Sequence, residues 1–267
     1  MFNLATLYYN IGVEISKIAA EKNGHKQAFN YFRIAMYLHN VLKEECQTRI
    51  PEKELPLDLF PAHLWYCKTI CEIKGQLEIY KINKEMNSDK YALNAKLILA
   101  ASELYNKARI LAENPQTKEG ANEEILEFLS NRELFYKAIM YKDLKENARH
   151  KFENIGDGYG EMILYQGLCV QTLLECQKNL KKCGKFVNIE NFEKMLEEEK
   201  NEGQNMHDLN KRIYHQEVPK PENLVFEKKN MMSAILPNDL YINENKDKIK
   251  TEENIYCPDL DLLNAKK

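Results

Sequence analysis

The sequence predicts an all-α protein made of antiparallel helical hairpins, and three observations predict it. Prolines number only 8 in 267 residues, with none from 62 to 114 or from 116 to 218. A proline inside a helix costs about 3 kcal/mol, so these gaps leave room for long helices. Apolar residues recur in alternate steps of four and three, as in Ala28, Phe32, Ala35, His39 and Leu42 and again in Leu97, Ala101, Leu104, Ala108 and Leu111. A third stripe holds Leu134, Ala138, Tyr141, Ala148 and Phe152, and no comparable stretch alternates with period two.

The breaks set the elements in order. Helix one runs from about 2 to 21 and stops at Lys22-Asn23-Gly24; helix two, about 26–47, is closed by Pro51 and a polar loop to Pro61. Helix three spans about 58–85 and ends at Met86-Asn87-Ser88. Ser88 or Asp89 can cap helix four, which ends before Asn114-Pro115. A short helix near 121–129 leads into helix five, about 131–154. Gly156, Gly158 and Gly160 make a sharp corner, and helix six follows over about 159–182 with Gly184 as its stop signal. Helix seven, about 189–214, ends before Val218-Pro219-Lys220-Pro221. The reading is thus a helical domain over 1–220 and an extended or partly ordered tail over 221–267. Long helices with short connections stack into a solenoid-like slab, with no fixed-period sequence repeat.

Composition narrows the function classes. Charged residues make up 30% of the chain and hydrophobic ones 44%, with 38 basic against 41 acidic residues and a net charge of -3. That balance weighs against nucleic-acid binding through bulk charge. There is no run long enough for a transmembrane helix, and Met1–Lys17 lacks the basic start and cleavage site of a secretory signal. Seven cysteines (Cys46, Cys67, Cys71, Cys169, Cys176, Cys183 and Cys257) include no CxxC pair. Their spacings of four and seven place them on helix faces, which reads as reduced cysteine in a helical core. No histidine lies at ligand spacing from them, so a metal is not expected.

Signatures of catalysis are missing. Gly156-Asp157-Gly158-Tyr159-Gly160 lacks the GK[ST] ending and the preceding strand of a phosphate loop, so it reads as a helix corner. The histidines His25, His39, His63, His150, His207 and His215 are scattered, with His63 and His150 the one pair that could meet in space. Glu197-Glu198-Glu199 reads as a solvated face. Lys178, Lys181, Lys182 and Lys185 form a basic end to helix six, suited to its dipole and secondarily to a membrane surface. No enzyme and no cofactor are expected, and a binding role is favoured.

Two segments are more specific. Residues Asn205 to Pro219, containing Ile213-Tyr214-His215 and Val218-Pro219, resemble the element that closes the last long helix of the BRO-one domain of Alix-type proteins. The opening Phe2-Asn3-Leu4-Ala5-Thr6-Leu7-Tyr8, followed by Ile11-Gly12, resembles an early helix of that domain. Gln76 with Glu78, Ala95-Lys96-Leu97 and Tyr159-Gly160-Glu161 fall in the matching order between them. The resemblance implies a banana-shaped domain on a tetratricopeptide-like core. It also implies a non-catalytic adaptor of the ESCRT and multivesicular-body pathway, cytoplasmic and recruited to endosomes. The implied partner is the C-terminal amphipathic helix of an ESCRT-III subunit, bound by a hydrophobic patch on the concave face. Carried over residue by residue, that patch falls on Tyr80, Leu93 and Leu97, with Tyr80 where the family often has Phe and Leu93 where it has Ile. The hydroxyl of Tyr80 makes the expected groove more polar. A weak peripheral contact with the endosomal membrane is a lesser expectation.

Geometry supports one face. In a hairpin turning near Met86–Ser88, Tyr80 and Leu93 come opposite each other at similar distances from the turn, and Leu97 is one helical turn beyond Leu93. The same periodicity also places Leu93 and Leu97 on the stripe of Leu104, Ala108 and Leu111, which would make them core. Exposure separates the two readings. The alternative function is accordingly a structural helical-repeat scaffold with an unrelated partner. Tyr214 has two readings as well, a lid on the last hairpin or the phosphotyrosine and kinase-docking position that the family implies. The resemblance further implies a preceding segment of strands and helices, so helix one is expected to show water an apolar face and to favour self-association. No V-shaped central domain or proline-rich tail is expected in 222–267, and Cys257 does not stand at a prenylation position.

Overall fold

Because apolar residues recur with helical period and prolines are confined to the ends of segments, the chain folds as helices joined by short turns. The computed structural model describes residues 1–19, 22–118, 123–180 and 189–232, and no strand occurs among them. The helices are α1 (Phe2–Ile18), α2 (Lys22–Arg49), α3 (Pro61–Met86), α4 (Tyr91–Ala112), the short α5 (Pro115–Lys118), α6 (Glu123–Ile155), α7 (Tyr159–Leu180) and α8 (Ile189–Leu209). Pro61 and Pro115 each open a helix, where the missing N–H is no loss. Cys183, Cys257, Lys181, Lys182, Lys185, Gly184 and the tail from 233 onward lie outside the described residues.

The boundaries differ from the sequence reading in two informative places. The pieces read at 121–129 and 131–154 are one helix, α6. Nothing at Ser130-Asn131 excludes a helix, and Asn131 is buried there with its carbonyl accepting from Cys176 Sγ of α7 at 3.7 Å. The last helix stops being α-helical at Leu209, and Asn210–Tyr214 form a wider π turn. His215 ends it in the left-handed region (φ 51°), its N–H donating to the Asn210 carbonyl at 2.8 Å.

Two compact units partition the described chain. In the first (Met1–Ile82, Lys107–Leu126 and Met231 onward), α1 and α2 pair through aromatic contacts, Tyr8 with Tyr31 at 6.0 Å and Tyr9 with Phe32 at 5.7 Å. Gly12 lets them approach, since a Cβ there would lie 2.9 Å from the Phe32 ring. The outer side of α1 keeps Leu4, Leu7, Ile11 and Ile15 half-buried and Ile18 exposed, so part of the expected apolar face does meet water. Glu78 of α3 ties the bundle together from inside. Its carboxylate accepts from Ser16 Oγ of α1 at 2.7 Å and Lys81 Nζ at 2.7 Å, and lies 2.6 Å from His25 Nδ1 of α2.

His39 sits in the same unit among Phe2 and His63, and the His63 ring meets Phe2 and Tyr66. His63 Nε2 also lies 3.5 Å from Sγ of Cys67, four residues on, so one histidine does stand at ligand spacing from a cysteine, contrary to the sequence reading. His150 belongs to the second unit and bonds Asn154. His39 Nδ1 is buried without a hydrogen-bond partner. Burial, helped by the neighbouring His63, pushes the His39 pKa down to about 3; burial also lowers His63, with Asp58 opposing. The fold thus favours a neutral ring. That contribution is complete above the unfolded value near 6.5 and drains as pH falls toward 3, by up to about 1.4 kcal/mol per pH unit. Thermal unfolding followed from neutral pH downward should show a steeper loss of Tm below pH 6 in the wild type than in His39→Gln. Parallel curves would contradict a neutral buried His39.

In the second unit (Asn83–Asn106 and Glu127–Asn230), α4, α6, α7 and α8 share a core. Ser102 Oγ of α4 donates to the Glu133 carbonyl of α6 at 2.8 Å, and Tyr105 stacks on Tyr136 at 5.4 Å. Ala148, Tyr159, Met162, Ile163 and Met206 form an apolar cluster with Phe152 and Tyr165 against it. The five described cysteines are all buried, as a helical core requires. Among them Cys169 has its thiol pushed up to about 12 by burial and by the Glu199 charge.

Candidate functional site

The α3–α4 connection is tight. Asn87–Lys90 form the turn, with the Lys90 N–H donating to the Asn87 carbonyl at 3.0 Å. Ser88 and Asp89 belong to that turn, and α4 starts at Tyr91. Asn83, in the last turn of α3, donates through Nδ2 to Asn94 Oδ1 of α4 at 2.6 Å and accepts from Asn87 Nδ2 at 3.2 Å. This amide chain fixes the start of α4, and with it the rotation of Leu93, Lys96 and Leu97 about the helix axis.

The three expected patch residues have different environments. In the first unit, Tyr80 is 9% exposed on α3. In the second, Leu93 is half-buried with part of its side chain in solvent, whereas Leu97 is 2% exposed, in line with buried Ala101, Leu104 and Ala108. Of the three, Leu93 offers most surface to a ligand.

The chain beyond the last helix also reaches α4, which nothing in the sequence signalled. After a short turn at Pro221–Asn223, residues 224–230 run extended along the second unit. The Lys229 N–H donates to the Lys96 carbonyl at 3.0 Å, Glu227 pairs with Lys96 Nζ at 2.5 Å, and Lys228 pairs with Glu103. Phe226 meets Tyr141 of α6 edge-on at 5.8 Å while Val225 points to solvent, the alternation of an extended segment on a surface. In the first unit, the Met231 N–H donates to Gln76 Oε1 at 2.9 Å, and a Cβ on Gly75 would strike Met232 Sδ. Residues 224–232 are therefore packed strap, and Lys96 beside Leu97 is one of its anchors.

The C-terminal motif is structural in a way that spacing could not reveal. Gly158 precedes α7 and has no side chain with which to cap it. Gln216 supplies the cap: its Oε1 accepts from the Gly158, Tyr159 and Gly160 N–H groups at 3.2, 2.7 and 3.3 Å, and its Nε2 donates to the Gly156 carbonyl at 2.9 Å. Asn210 holds Gln216 in turn, Nδ2 donating to its carbonyl at 2.9 Å and Oδ1 accepting from its N–H at 3.0 Å. Gly156 (φ 73°) and Gly158 (φ 112°) make the corner that the sequence predicts. Tyr214 packs its ring on Tyr159 at 4.3 Å and Phe152 at 5.0 Å, and is 38% exposed. This is the geometry of a lid on the last hairpin.

A charged cluster lies between α6 and α8. Lys145, 1% exposed, pairs with Glu202 Oε2 at 2.5 Å and Glu199 Oε2 at 3.1 Å; Lys142 reaches Glu199 Oε1 at 2.6 Å and Arg149 reaches Glu202. The solvated-face reading holds for Glu197 and Glu198 and fails for Glu199, which is buried. Burial raises the Glu199 carboxyl, but hydrogen bonds and charge from Lys142 and Lys145 outweigh it and hold the group below the usual carboxylate range. The cluster is fully paired by cations and reads as structure. No group of three metal-ligating side chains converges among the described residues, and no helix among them is long and apolar enough to cross a membrane.

Comparison with known proteins places this architecture. Three similar solved structures each match 88% of this chain at 18% identity. The ALIX BRO1–CHMP4C complex does so with a TM-score of 0.72 over 61% of that chain. ALIX in complex with the SIVmac239 PYKEVTEDL late domain gives 0.68 over 32%, and a structure on endosomal targeting by the Bro1 domain gives 0.68 over 60%. The chain thus spans about three fifths or less of the solved chains it matches. No curated protein sequence matches it significantly. The model of the BRO1-like domain matches residues 1–260, and the chain belongs to that family.

Proposed function

We propose that the protein is a non-catalytic adaptor of the ESCRT and multivesicular-body pathway that binds the C-terminal amphipathic helix of an ESCRT-III subunit. The observation that supports it most is membership of the BRO1-like domain family, together with fold similarity to a BRO1 domain described in complex with CHMP4C. The positions assigned to the contact are Tyr80, Leu93 and Leu97. Leu93 is the residue that a ligand helix reaches; Leu97 in the same unit and Tyr80 in the first unit are both mostly buried. Apolar burial supplies the affinity, at about 25 cal/mol per Å², and salt acts more on the association rate. In this reading the protein works in the cytoplasm and is recruited to endosomes; its fold is similar to that of a Bro1 domain whose structure is described as the basis for endosomal targeting. Tyr214 is proposed as a phosphotyrosine docking position, which requires its ring to leave Tyr159 and Phe152.

The burial of Leu97 favours a second reading, a helical scaffold whose partner binds elsewhere. Titration of the purified chain with an ESCRT-III C-terminal helix peptide decides between them. The adaptor reading expects a Kd near micromolar, on the order of -8 kcal/mol, and no binding by a peptide whose apolar face is replaced with serine. A folded chain that binds neither peptide supports the scaffold.

A further inference from the structure

The only tryptophan of the chain is not in the core. Trp65, on the first turns of α3 in the first unit, is 41% exposed. Two cations flank its indole: Lys43 Nζ of α2 lies 4.5 Å from the ring centroid and Lys107 Nζ of α4 lies 5.8 Å from it. Lys68, one turn after Trp65, brings a third ammonium, held by Asn40 Oδ1 at 2.8 Å. Helices α2 and α4 therefore bring positive charge to one exposed aromatic ring, and α3 carries a third cation one turn away.

The positive charge is incompletely balanced. Glu72 lies 3.7 Å from Lys107, and Glu44 bonds Asn40 at 2.8 Å. Burial depresses the Lys68 pKa, and repulsion from Lys107 and Lys43 adds to it against the pull of Glu72 and Glu44. An exposed tryptophan beside cations is the composition of an interface anchor, since tryptophan is enriched among the residues that carry binding energy and complementary charge around it steers and selects the partner. The two carboxylates decide the kind of partner. A flat anionic bilayer would press its whole surface charge against Glu44 and Glu72, whereas a peptide can place single carboxylates against the ammonium groups and an apolar side chain against the indole.

We propose that Trp65, with Lys43, Lys68 and Lys107, is a docking site for an acidic peptide segment carrying an apolar anchor, separate from the α4 surface around Leu93. The site belongs wholly to the first unit and stands whether or not the ESCRT-III reading holds.

Trp65 reports on its own site, because its emission is the only tryptophan signal in the full chain. The probe is a glutamate-rich peptide with a central leucine pair and no tryptophan, compared with the same peptide carrying lysines for glutamates and with vesicles containing phosphatidylserine. The acidic peptide should shift the emission saturably, and its affinity should fall about tenfold or more as salt rises from about 0.05 to 0.5 M. Lys43→Glu with Lys107→Glu should weaken it at least about tenfold while the helical signal and Tm stay near wild type. Leu93→Asp should leave the shift unchanged. An unaltered emission with the acidic peptide, an equal response to the lysine peptide, or a response to vesicles alone would overturn the proposal.

Discussion

Replacing Lys145 with alanine is expected to destabilise the protein by about 3–5 kcal/mol, the usual result of removing one partner from a buried ion pair. The reason is Glu199, also buried, which would retain its charge with less compensation, while Glu202 would lose its 2.5 Å contact. Lys142 and Gln166 Nε2 still reach Glu199, so the carboxylate is not wholly abandoned and the protein should remain foldable at low temperature. Urea unfolding of Lys145→Ala, Glu199→Ala and the double variant checks this. The double variant should cost clearly less than the sum of the singles. A loss below about 1 kcal/mol for Lys145→Ala would mean that the cluster behaves as an exposed ion pair.

Gly160→Ala should be comparably severe for a different reason. A Cβ at Gly160 would lie 2.0 Å from the Glu217 carbonyl oxygen and 2.9 Å from its carbon, so backbone has to move. The same displacement pulls Gln216 away from the N–H groups of Gly158, Tyr159 and Gly160, which then go unpaired. Overpacking of this kind costs about 3 kcal/mol or more when the obstacle is backbone. Thermal unfolding should show a large fall in Tm for Gly160→Ala and a near-normal Tm for Gly167→Ala, where a Cβ meets nothing within 4 Å. Equal Tm values for the two would contradict the close approach of the Glu217–Val218 backbone to α7.

These two sites show where sequence reasoning succeeds and where it stops. Helical period placed Ala28, Phe32, Ala35 and His39 on a buried stripe because a helix face is a local property of the chain. The glycine corner was equally legible, since positive φ at Gly156 and Gly158 is a demand on single residues. The meaning of Gln216 was not. It stands in an unspecified position of the recognisable motif, and what it caps begins far earlier in the chain. Glu199 was misread for a related reason: three consecutive glutamates point in three directions on a helix, and only α6, with Lys142 and Lys145, makes one of those directions an interior. The strap at 224–232 has no periodic signal because its order comes from backbone bonds to Lys96 and Gln76. At the candidate site, the sequence named Leu93 and Leu97 together. Their spacing puts them on neighbouring parts of one face, and the packing around each decides which remains open to solvent.

That difference supplies the most direct test of the adaptor account: titration of an ESCRT-III C-terminal helix peptide into wild type and Leu93→Asp, with circular dichroism and Tm recorded for both. The account predicts near-micromolar binding by the wild type and at least about a hundredfold loss in Leu93→Asp, roughly 2.7 kcal/mol, with helical content and Tm preserved. Unchanged affinity in a folded Leu93→Asp variant would contradict the α4 site.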